Sequence, residues 1–83
     1  MSETYEEVRE RIIVALYRAE GHASHPNDLW EVCYKNGIPD MWVERFANHE
    51  KTAGEGFSIR DSAVFYLNDA GREEAKRLIA KAQ

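Results

Sequence analysis

The sequence predicts a mainly α fold with one small β-hairpin, in the order helix, helix, helix, hairpin, helix. Three observations carry this expectation. Apolar residues recur at three- and four-residue steps in four separate stretches. Capping or stop residues stand at most of their ends. One pair of short β-branched and aromatic runs lies between the third and fourth stretches. A chain of 83 residues has room for one core, so residues 1–83 read as a single domain.

The first helix is predicted over 4–20. Thr4 and Glu7 have the spacing of a capping box, and Tyr5, Val8, Ile12, Ala15, Leu16 and Ala19 form one apolar stripe that ends at Gly21. Ile13, Val14 and Tyr17 fall off that stripe and make the middle of the helix apolar nearly all round. A monomer rarely exposes such a surplus, so these three residues predict a homodimer through the first or the last helix.

The second helix is predicted over 26–36. Pro26 suits a first helical position, Leu29, Val32 and Cys33 share a face flanked by Trp30 and Tyr34, and Gly37 supplies the stop. Ile38-Pro39 forces an extended step, after which a third helix is expected over 40–49. There Trp42, Val43, Phe46 and Ala47 make the inner arc, with Met41, Glu44, Arg45 and Asn48 opposite. Glu50 would fall inside that arc, where an unpaired carboxylate is costly, so the helix is expected to end near His49.

Strands are expected at 56–60 and 63–67, joined by a tight connection at Asp61-Ser62-Ala63. Asn68 then caps a last helix over 69–82, whose inner stripe is Gly71, Ala75, Leu78, Ile79 and Ala82, with Glu73 placed to pair with Arg77. The predicted core is Ile12, Leu16, Leu29, Cys33, Phe46, Phe65, Leu67, Leu78 and Ile79.

Three helices followed by a hairpin is the order of the winged helix-turn-helix. The stretch from Phe65 to Leu78 resembles the passage from the second wing strand into the C-terminal helix of MarR-like and PadR-like regulators. Leu67 matches the strand end and Gly71 the glycine, while Asn68 stands where threonine is usual, a conservative exchange of one cap for another. The motif covers about fourteen residues; the element order covers nearly the whole chain. What the resemblance implies is a winged-helix domain whose third helix reads DNA. Arg45 and Asn48 are then the residues suited to guanine and adenine edges, and Lys51 and Arg60 those suited to phosphate.

The residues themselves argue less for nucleic acid. Eleven basic residues face fifteen acidic ones, a net charge of -4. On the presumed recognition surface Arg45, Lys51 and Arg60 are outnumbered by Glu44, Glu50, Glu55 and Asp61. A polyanion is poorly served by such a surface. The competing reading is a protein-interaction module or dimerising adaptor without DNA contact, because Tyr5, Val14, Tyr17, Trp30, Tyr34 and Trp42 are many large side chains for so small a core.

No catalytic residue, metal site or cofactor is expected. His22, His25 and Cys33 lack the paired spacing of a zinc site. Cys33 lies on a predicted buried stripe, where a thiol stays protonated, so His22, His25 or His49 would find no nucleophile there. The sequence holds neither a phosphate-binding glycine loop nor a Gly-x-Ser-x-Gly elbow. A single cysteine, no leader-like stretch and no long apolar run lead to an expected cytoplasmic, membrane-free protein.

Overall fold

The computed structural model describes residues 3–21, 27–53, 58–61 and 64–82, with side chains for 3–21, 28–49 and 65–82. Its elements are α1 (Tyr5–Glu20), β1 (Asn27–Asp28), α2 (Leu29–Lys35), α3 (Asp40–Ala53), β2 (Ser58–Asp61), β3 (Val64–Leu67) and α4 (Asp69–Ala82). The fold is mainly helical, as the periodicity predicts.

α1 starts where its cap requires. The Thr4 hydroxyl accepts from the Glu7 N–H at 3.2 Å, and Gly21 closes the helix with a positive φ of 72°. This helix is the centre of the molecule, touching α2, α3, α4, β1 and β3. That arrangement explains its apolar excess and corrects one expectation. Ile13, expected at a surface, is 1% exposed because packed elements cover most of the circumference of α1 within one protomer. Val14 and Tyr17 are partly buried against the same core.

The second helix begins later than predicted. Instead of starting at Pro26, the described chain pairs Asn27 and Asp28 as a short strand, and α2 begins at Leu29. The Asp28 carboxylate accepts from the Glu31 N–H at 3.2 Å, so the cap sits two residues beyond the proline. Residues 22–26, with His22, His25 and Pro26, lie outside the described residues.

α3 runs four residues past the expected end at His49. Nothing between His49 and Ala53 breaks a helix, the first such residue being Gly54, and backbone hydrogen bonding outweighs the objection raised by the position of Glu50.

The hairpin strands pair antiparallel, with Ser58 opposite Leu67 and Asp61 opposite Val64. The Ser62-Ala63 tip and the Gly54–Phe57 approach lie outside the described residues. A third strand was not expected: β1 pairs with the other side of β3, giving the order β1-β3-β2. β1 is only two residues long, and beyond it side chains complete the sheet edge. The Leu67 N–H donates to Oε1 of the buried Glu20 at 2.7 Å, and the Leu67 carbonyl accepts from Arg72 Nη1 at 2.8 Å.

α4 follows its predicted bounds, with the Asn68 side-chain oxygen accepting from the Gly71 N–H at 2.7 Å. Its described ion pairs are Asp69–Arg72, Glu73–Lys76 and Glu74–Arg77, each one residue closer in spacing than the expected Glu73–Arg77. The core joins α1 and α2 to α3 through Phe46, which meets Phe65 of β3 at 6.2 Å between ring centroids. Eight of the nine predicted core residues are buried; Ile79, at the edge of the α4 stripe, is only partly so.

Candidate functional site

The join between α2 and α3 is fixed on both sides. Gly37, at φ 69°, lets the Ile38 N–H reach back to the Cys33 carbonyl at 2.9 Å, and Ile38 buries its side chain in the core. The Pro39 carbonyl then accepts from the Trp42 and Val43 N–H groups and starts α3. The two helices therefore present a defined surface on either side of this turn.

That surface is apolar where a nucleic-acid reader would be basic. Trp30 and Tyr34, one turn apart on α2, are 44% and 81% exposed, and Met41 in the first turn of α3 is 68% exposed. Asp40, Glu44, Arg45 and Asn48 of α3 are exposed as well. Met41 had been placed on the outer face from the sequence, but nothing in the helical spacing distinguished it from the polar residues there.

Arg45 is the one predicted base-reading cation on this helix, and it is engaged elsewhere. Its guanidinium carbon lies 4.4 Å from the ring centroid of Tyr5 and 5.7 Å from that of Trp42. The Tyr5 ring in turn stacks on Trp42 at 6.2 Å and meets His49 at 5.7 Å. The cluster pins the start of α1 to the flank of α3. Trp42, Arg45 and His49 stand at three- and four-residue steps, so the pattern was available in the sequence; the partner, Tyr5 on another helix, was not.

Of the four residues predicted to touch DNA, the structure brings Arg45 and Asn48 onto α3. The side chains of Lys51 and Arg60 lie outside the described residues, although their backbones belong to α3 and β2. Elsewhere on the described surface ion pairs join Glu3 with Arg11, Glu31 with Lys35, Asp69 with Arg72, Glu73 with Lys76 and Glu74 with Arg77, while Glu6, Glu7, Glu10 and Asp28 have none among the described residues. Asp40 and Glu44 have no such partner among the described residues. The described part of α3 thus carries two carboxylates without an ion pair and one exposed cation stacked over Tyr5 and Trp42.

Other chemistry finds little footing. The Cys33 thiol is fully enclosed, and burial pushes its pKa from 9.0 up to about 11. Among the described residues no three His, Cys, Asp or Glu side chains converge as a metal site, and no helix is long and apolar enough to cross a membrane. An open cleft of about 590 Å³ lies between α1, α4 and the α2–α3 turn, with Val14, Ile38 and Leu78 in its lining. Its charged rim mixes Glu3, Glu7 and Glu10 with Arg11, Arg18 and Lys81, so it favours neither sign of ligand. Comparison with known proteins finds no matching family model, no matching curated protein and no matching solved structure.

Proposed function

We propose that this chain is a non-catalytic winged-helix domain that binds another protein through the exposed face of α2 and α3. The order α1, β1, α2, α3, β2, β3, α4 and the sheet order β1-β3-β2 support the winged-helix reading, with β2 and β3 as the wing. The single observation that carries the choice of partner is the composition of the face. Trp30, Tyr34 and Met41 are each exposed, Asp40 and Glu44 have no ion pair among the described residues, and Arg45 is stacked over Tyr5. Exposed aromatic and methionine side chains are what interface centres use. Exposed carboxylates on α3 weaken its attraction for a phosphate backbone.

DNA binding is the second reading, and the helix-turn-helix geometry of α2 and α3 favours it, with Asn48 exposed on the outer side of α3. Fluorescence anisotropy of a labelled two-turn duplex at low and physiological salt separates the two. The protein-binding reading expects no saturable change at either salt. Saturable binding that Arg45→Ala and Asn48→Ala both weaken would establish the DNA reading instead.

A further inference from the structure

We infer that Asn36 is a site of spontaneous deamidation gated by the last turn of α2, and that its product unlocks the join between α2 and α3. The inference is independent of the choice between protein and DNA partners. Asn36-Gly37 is the one Asn-Gly pair in the chain, since Asn27, Asn48 and Asn68 are followed by Asp28, His49 and Asp69. A following glycine leaves the main-chain nitrogen unshielded by a Cβ, so a neighbouring side chain can approach it closely. Both residues of the pair are exposed, and they end α2 where it turns towards α3.

The chemistry needs only water and hydroxide. The Gly37 nitrogen gives its proton to hydroxide and attacks Asn36 Cγ; the N–Cγ bond forms, the Cγ–Nδ2 bond breaks, and Nδ2 takes up a proton and leaves as ammonia. Water then opens the cyclic imide at either of its carbonyl carbons. Cleavage between the nitrogen and Cγ gives aspartate. Cleavage between the nitrogen and the main-chain carbon of residue 36 gives isoaspartate, whose main chain runs through Cβ and Cγ.

The folded turn holds the reacting atoms apart. At ψ 11° for Asn36 the Gly37 nitrogen is turned away from the Asn36 side chain. Asn36 Nδ2 donates to the Val32 carbonyl at 2.8 Å, and the Gly37 N–H donates to the Tyr34 carbonyl at 3.1 Å. Ring closure therefore requires both bonds to open together, a local fraying at the end of a seven-residue helix. The product cannot rebuild the turn. A carboxylate at position 36 offers no donor to the Val32 carbonyl. The longer main chain of isoaspartate displaces Ile38, which is buried in the core and donates to the Cys33 carbonyl at 2.9 Å. Asn36 also lines the cleft between α1, α4 and this turn, so the new negative charge falls on that cleft.

The intact chain is aged at mildly alkaline pH, once in native buffer and once unfolded in guanidinium chloride, and mapped by electron-transfer mass spectrometry, which separates isoaspartate from aspartate. In guanidinium Asn36 should be the first asparagine modified. In native buffer it should react at least about tenfold more slowly, by the factor that hydrogen exchange gives for protection of the Gly37 amide. Asn36→Gln keeps the amide but would need a larger ring, so it should show no modification at this position. The purified isoaspartate form should lose exchange protection at the Ile38 amide. Earlier modification of Asn27, Asn48 or Asn68 in guanidinium overturns the site. Equal rates in the two solvents, or a native rate that does not follow Gly37 protection, overturn the gate. Unchanged Ile38 protection in the isoaspartate form overturns the unlocking of the join.

Discussion

At the scale of single residues, the structure turns on side chains that leave their own element to satisfy another. Glu20 is the clearest case. A carboxylate at the end of a helix reads in sequence as a solvated charge, yet Glu20 is buried and takes the Leu67 N–H where β1 has run out. Sequence periodicity cannot show this, because the contact joins residues 47 positions apart. Glu20→Ala leaves a buried N–H without its acceptor and should lower the unfolding free energy by about 1.5–3 kcal/mol in urea titration, with a smaller loss in Glu20→Gln, which keeps an acceptor oxygen.

Arg45 illustrates the converse. Its type and place on α3 are legible in the sequence, but its stacking over Tyr5, a residue of another helix, is not. Arg45→Ala should cost about 0.5–1 kcal/mol of stability through the lost cation–π contacts, read as a shift in the urea midpoint at unchanged slope. Cys33 gives a pH signature. Burial favours the neutral thiol, so the folded chain keeps a proton that the unfolded chain releases, and the contribution of this group is fully present below pH 9.0 and is lost as pH rises towards about 11. The stability difference between the wild type and Cys33→Ala should therefore shift against the wild type across that window and stay flat below it.

At the scale of elements, legibility followed the strength of local signals. α1 and α4 start at the caps that Thr4 and Asn68 announce, because a cap is a contact between near neighbours. β1 was missed because Asn27 and Asp28 have poor β propensity, and their pairing is supplied entirely by the backbone of β3. The start of α2 was misplaced for the same reason: Pro26 and Asp28 both suit a helix start, and strand pairing selects Asp28. Asn68→Ala should lower stability by about 1 kcal/mol, and Asn68→Thr should restore most of the loss if a hydroxyl serves the same cap. Thermal melts of the two variants side by side make that comparison.

At the scale of the whole molecule, α1 organises everything else. Its sequence is apolar nearly all round, and the structure wraps it with α2, α3, α4 and the sheet, which buries Ile13 and partly buries Val14 and Tyr17. Leu16→Ala at the centre of this wrapping should cost about 2–5 kcal/mol. Among the described residues the large hydrophobic side chains left exposed are Trp30, Tyr34 and Met41, and burial on this scale follows from how five elements close around one helix.

On the proposed function, the exposed residues of α2 and α3 meet protein and not DNA. Amide chemical-shift mapping of the isotope-labelled chain, with a duplex in excess at low salt, tests it most directly. The amides of α2 and of α3 from Asp40 to His49 should stay in place; a contiguous, salt-sensitive shift centred on Glu44, Arg45 and Asn48 would mean that this surface binds DNA.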